Sequence, residues 1–264
     1  ANHGISGHVY EIIDYFHILK NHFTVGILIS ETLSWDTLEQ AIRFKYTFTD
    51  DEINEIKSST FFFNRPRVLQ GRNILFVDGG VINTSSVMLY FDNIFYFACG
   101  NKEVKHNIQS NVHVLQDDRV YEPVTLNGIN YKKRILFDKL KPIGESQDNI
   151  LIYATTNCRA FNNYEQILQY DKHILVVTND TTSVPTHPHI TAVVPPIRDI
   201  FEQFLTYVYT PVQRKWDCSP RFIAECVFYG KEVIFHNIDY WDDDCGLKWR
   251  WWDINNDFDS LRLT

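Results

Sequence analysis

Short runs of apolar residues bounded by polar turns recur along the chain: 23–29 (FTVGILI), 73–77, 94–98, 112–116, 150–154, 173–178, 190–194, 206–209 and 232–236. Many are apolar along most of their length rather than alternating. Strands covered on both faces of a parallel sheet read this way. Between them, apolar residues fall at helical spacing. In 8–20 (HVYEIIDYFHILK) Val9, Ile12, Ile13, Phe16 and Leu19 form one stripe, and 162–170, 197–205 and 220–229 are further helix candidates. Strands alternating with helices predict the α/β class. The loop–helix–strand opening predicts one more strand ahead of residue 1, which is Ala in a chain whose only methionine is Met88.

The segment 129–149 turns basic and then polar, with Pro142 and Gly144, so a domain boundary is expected within 143–149. That gives an N-terminal domain over 1–145 and a C-terminal domain over 146–264. At 264 residues, 44% hydrophobic and 22% charged, the chain is long enough for two ordinary domains. No apolar run is long enough to span a bilayer, so no membrane partner is expected. The five cysteines contain no CxxC pair, which argues against zinc or disulfides and for a reducing cytoplasm. A net charge of −8 argues against general affinity for polyanions but leaves room for a local basic groove. The run 131–141 (YKKRILFDKLK), with Lys132, Lys133 and Arg134, is the candidate for one. As a basic linker it would need no ligand.

The stretch 216–233 (WDCSPRFIAECVFYGKEV) carries the most chemistry. Ser219 suits an N-cap, Pro220 a first helical position and Gly230 the residue past the helix end. The helix start offers N–H groups and partial positive charge, with Arg214, Lys215 and Arg221 nearby, so an anion site is expected. Arg221 and Glu225 share one face, and Glu225 could accept two hydrogen bonds from a diol. The plainer reading is a capped helix with a surface Arg–Glu pair.

Asp217, Glu225 and Gly230, eight and then five residues apart, resemble the acidic motif of the nucleotide-sugar helix in GT-B glycosyltransferases, with Asp in place of the usual first Glu. SPRFIAECVFYGKEV is also similar to the matching segment of exostosin-type transferases. The resemblance implies a GT-B fold: two Rossmann-like domains with a cleft between them. It implies that Glu225 holds the donor ribose and that Asp217 faces the sugar. It makes the loop NHGISGH (2–8) an approach for donor and acceptor, with Gly4, Gly7 and His8. YATTNCRAFNNYE (153–165) and LQDDRVYEP (115–123) resemble segments of the T-even-phage DNA glucosyltransferases. By that resemblance Arg159 grips the donor pyrophosphate, Asp117 is the catalytic acid, and Asp118 and Arg119 flank the acceptor. An inverting transfer would need Asp117 as base; in a retaining one Asp117 or Asp118 would orient the acceptor. VVPPIRD (193–199) falls where GT-B backbone passes the nucleobase, so Val194, Pro196 and Ile197 are assigned to uracil.

Within that family the resemblance points to enzymes that add glucose from UDP-glucose to an already glucosylated hydroxymethylcytosine in DNA, with retention at the donor carbon. The partners implied are a nucleotide sugar and modified double-stranded DNA, in a phage-infected host's cytoplasm. No tightly bound cofactor is implied; a divalent metal could stimulate, but nothing in the sequence requires one. A glycan transferase of exostosin type and a noncatalytic nucleotide- or DNA-binding module remain open. Four further stretches suggest chemistry but have simpler readings. VDGG (77–80) reads as a turn, HPH (187–189) as a polar loop, Asp242–Asp244 as a solvated loop and KWRWWDI (248–254) as a packed tail.

Overall fold

The computed structural model describes residues 7–29, 33–62, 73–77, 93–98, 112–117, 128–131, 135–153, 168–195, 197, 199–209 and 221–236. Two compact units divide them between Leu140 and Lys141.

The first unit contains helix α1 (Gly7–Leu19), strand β1 (Thr24–Ile29), helices α2 (Trp35–Lys45) and α3 (Asp50–Ser59), and strands β2 (Thr60–Phe62), β3 (Asn73–Val77), β4 (Asn93–Ala98), β5 (Val112–Asp117) and β6 (Gly128–Tyr131). Its six strands lie in the order β2-β1-β3-β4-β5-β6, every neighbouring pair parallel. Val9, Ile12, Ile13 and Phe16 of α1 are buried, as the apolar stripe predicts. Glu11 and Asp14 are buried as well, so the covered face of α1 is wider than that stripe. The segment 2–8 is not all loop: Gly7 and His8 open α1.

Hydrophobic spacing did not predict α2 or α3, though both carry start signals. Ser34 caps α2 by accepting from the Thr37 N–H at 3.2 Å. Thr49 and Glu52 form a reciprocal capping box on α3, at 3.2 and 2.8 Å. Each helix buries only two apolar residues, Leu38 and Ile42 in α2 and Ile53 and Ile56 in α3. So narrow a stripe is easily missed. Strand β6, with only Ile129 and Tyr131 apolar, is likewise absent from the predicted strands.

The C-terminal half of the basic run is not a solvated linker. Ile135, Leu136, Phe137 and Leu140 are buried, and Leu140 bridges Tyr46. Lys139 pairs with Glu52 at 3.0 Å. The polar stretch 143–149 is tied into the second unit. The Gly144 N–H donates to Glu202 Oε1 at 2.8 Å, the Gln147 N–H to the Glu202 carbonyl at 2.9 Å, and Asn149 Nδ2 to the Gln203 carbonyl at 2.9 Å.

The second unit contains β7 (Ile150–Tyr153), β8 (Ile174–Val177), β9 (Ile190–Val193), β10 (Thr206–Tyr209), helix α4 (Arg221–Phe228) and β11 (Glu232–Phe235). Its sheet runs β11-β10-β7-β8-β9, again all parallel. Alternate residues of β7 divide between two cores. Ile150 and Ile152 join Ile174, Val176 and Val208 on one face, with Leu168 and Val184 packed against them. Leu151 joins Val177, Phe204, Tyr207, Ile223 and Cys226 on the other, with Ile197 and Ile200. The described residues that follow β7 and β8 therefore pack on one face, and those that follow β9 and β10 on the opposite face.

The helix expected over 197–205 is instead a single 3-10 turn, Ile200–Glu202. Asp199 before it takes a left-handed conformation, φ 52°, which a right-handed helix does not pass through. The apolar density there serves the core without helical periodicity.

Candidate functional site

In an open parallel sheet, ligands meet the C-terminal ends of strands where successive connections part to opposite faces. In the second unit that point lies between β7 and β10, which end at Tyr153 and Tyr209. Residues 154–167 follow the first and 210–220 the second; both stretches lie outside the described residues. The second leads into α4.

Helix α4 is nearly enclosed. Arg221, Ile223, Ala224, Glu225 and Cys226 are buried. Phe222 lies in an aromatic cluster, its ring 5.0 Å from those of Tyr153, Tyr207 and Phe201. The helix closes as the glycine rule predicts. The Gly230 N–H donates to the Val227 carbonyl at 3.1 Å and the Lys231 N–H to the Cys226 carbonyl at 2.8 Å, with Gly230 at φ 69°.

The Arg221–Glu225 pair is not on the surface. Arg221 Nε donates to Glu225 Oε1 at 2.6 Å, with side-chain exposures of 6% and 1%. The charge reaches its neighbours. Burial, then the Glu225 carboxylate and the Cys226 thiol, push the Tyr153 phenol up to about 12. Burial and Glu225 also push Tyr229 up, against the opposing field of Arg221. Both phenols stay protonated at ordinary pH and remain hydrogen-bond donors. At the other end of α4, burial lowers the Lys231 ammonium, which donates to Ser146 Oγ. Nothing in the residue spacing signalled Tyr153 or Lys231; tertiary burial singles them out.

Val194 sits just past β9 and is 55% exposed, while Ile197 packs into the core beside Phe204. In the first unit Asp117 ends β5, and Gly7 and His8 start α1. Gly4, Asp118, Arg119, Lys132, Lys133, Arg134, Arg159, Pro196, Arg214, Asp217 and Ser219 lie outside the described residues. So do 78–80, 242–244 and 248–254. Of the residues assigned to the donor, the structure brings Arg221 and Glu225 into contact.

Among the described residues no three His, Cys, Asp or Glu side chains converge to hold a metal ion. In the HPH stretch, His187 Nδ1 accepts from the His189 N–H at 3.1 Å, which is turn chemistry. No helix among the described residues is long and apolar enough to cross a membrane. No family model, characterised protein or solved structure matches the chain.

Proposed function

We propose that the chain is a UDP-sugar-dependent glycosyltransferase of GT-B type. Its reaction moves glucose from UDP-glucose to a glucosylated hydroxymethylcytosine in DNA. The observation that carries the nucleotide half of this reading is the position of Glu225. It sits on the helix reached from β10, one of the two strands at the second unit's switch point, and its charge is felt by Tyr153 at the end of the other. By the resemblance, the carboxylate at this position takes the ribose hydroxyls and the start of the helix takes the diphosphate. Arg159, Arg214 and Ser219 would meet the phosphates, Val194, Pro196 and Ile197 the uracil, and Asp217 the sugar.

The acceptor half rests on the resemblance of 115–123 to the phage DNA glucosyltransferases. Asp117 would orient the acceptor hydroxyl, with Asp118, Arg119, His8 and the Lys132–Arg134 run beside the DNA. A glucose already projecting from the groove lessens the need to extrude the base, which suits a chain of net charge −8.

The test is incubation with labelled UDP-glucose and four acceptors: glucosylated DNA, hydroxymethylated DNA, unmodified DNA and free saccharides. Label transfer to glucosylated DNA alone is expected. Transfer to saccharides would make the chain a glycan transferase. UDP binding without turnover would make it a noncatalytic module, and failure to bind UDP would refute the donor site.

A further inference from the structure

We infer that the Tyr153 hydroxyl is a hydrogen-bond donor to the diphosphate of the nucleotide sugar. This deepens the donor-site reading above and rests on it. Tyr153 is the last residue of β7, one of the two strands at the switch point. Its ring packs into the core that β7 shares with α4 and meets the Phe222 ring edge-on, with centroids 5.0 Å apart. Phe222 is the second residue of α4. The phenol therefore stands beside the first turn of the helix whose start, by the resemblance, takes the diphosphate.

The hydroxyl is accessible as well as near. Among the described residues, Asn179 Oδ1 is the one side-chain polar atom that is both enclosed and without a hydrogen bond. The Tyr153 hydroxyl has no hydrogen-bond partner among the described residues either, so its oxygen reaches the surface. A phenylalanine would fill the same place in the core with no polar atom to desolvate. Packing thus explains the ring and leaves the hydroxyl without a role in the fold. Burial, then the Glu225 carboxylate, hold the phenol protonated, so it donates across the ordinary pH range. The charge of Glu225 is itself offset by Arg221 at 2.6 Å, which lets a second anion approach. The oxygens of a diphosphate are acceptors, and a donor carried on a packed ring meets one with little loss of side-chain freedom.

The experiment is calorimetry on the full chain, with UDP alone and with uridine as competitor, in the unmutated protein and in Y153F. The melting temperature of each is measured alongside. Loss of a hydrogen bond to a charged group predicts that Y153F weakens UDP by about 10- to 100-fold. Uridine, which lacks the phosphates, should bind both proteins equally. Y153F should melt no lower than the unmutated chain.

Undiminished UDP affinity in Y153F would overturn the inference. So would an equal loss for UDP and uridine, which would put the hydroxyl on the nucleoside. A lower melting temperature, or failure of Y153F to fold, would give the hydroxyl a structural role and overturn it too. Loss of the donor-site reading looks different: the unmutated chain then binds no UDP, and both claims fall.

Discussion

The Tyr46 hydroxyl donates to Asp14 Oδ1 at 2.8 Å inside the first unit, and Asp14 is completely buried. A buried carboxylate keeps its charge only while donors surround it. Tyr46→Phe removes one of them with little change in volume and should cost about 1.5–3 kcal/mol. The urea midpoint of the first unit's transition measures this. An unchanged midpoint would show that the bond contributes nothing.

The start of α3 offers a separate check. Thr49 and Glu52 satisfy each other's backbone N–H groups. Thr49→Ala should destabilise the first unit by about 1 kcal/mol, and Thr49→Asp should restore most of that. Equal stability of the Ala and Asp variants would show that the cap is immaterial.

Gly230 tests backbone conformation without a packing change. It sits at φ 69°, and a Cβ there would meet nothing within 4 Å. Gly230→Ala should therefore cost about 1 kcal/mol through conformation alone, and Gly230→Asn less. Thermal denaturation of the two variants should rank them in that order below the unmutated protein.

Acid sensitivity should be visible in both units. Burial, with the nearby Lys20 and Lys139 ammoniums, lowers His17 below its ordinary 6.5 despite the opposing Glu52 and Asp138 carboxylates. Burial alone lowers His236. As pH falls, the unfolded chain takes up these protons first. The contribution of each histidine is thus complete above 6.5 and declines as pH drops from there through its folded value. Replacing His17 by Phe, which keeps a ring beside Phe48, should make the acid decline of the first unit shallower. An identical slope of stability against pH in the variant would exclude His17 as the cause.

The acceptor half of the proposal can be tested on the basic run. Lys139 is spent on Glu52, so Lys139→Met should leave affinity for glucosylated DNA unchanged. Neutralising Lys132, Lys133 and Arg134 together should weaken it and lower its salt dependence by up to about three ion equivalents. Filter binding across salt concentrations distinguishes the two; a large loss from Lys139→Met would refute the division.

Local features were legible in the residues themselves. Largely apolar runs marked β1, β3 to β5 and β7 to β11 to within one residue at each end, because a strand covered on both faces is apolar at most successive positions. The Gly230 stop is likewise local chemistry, whereas the equally local Thr49–Glu52 cap was not among the predicted features. What tertiary structure alone decided is which remote elements meet. Strand order, the enclosure of Arg221 and Glu225, the contact between Tyr46 and Asp14 and the burial of 135–140 all depend on neighbours distant in sequence. Periodicity reports that a face is to be covered, and not by what. An Arg–Glu pair four residues apart therefore reads the same on the surface and in the core, and only folding sets the dielectric that makes it a fixed charge.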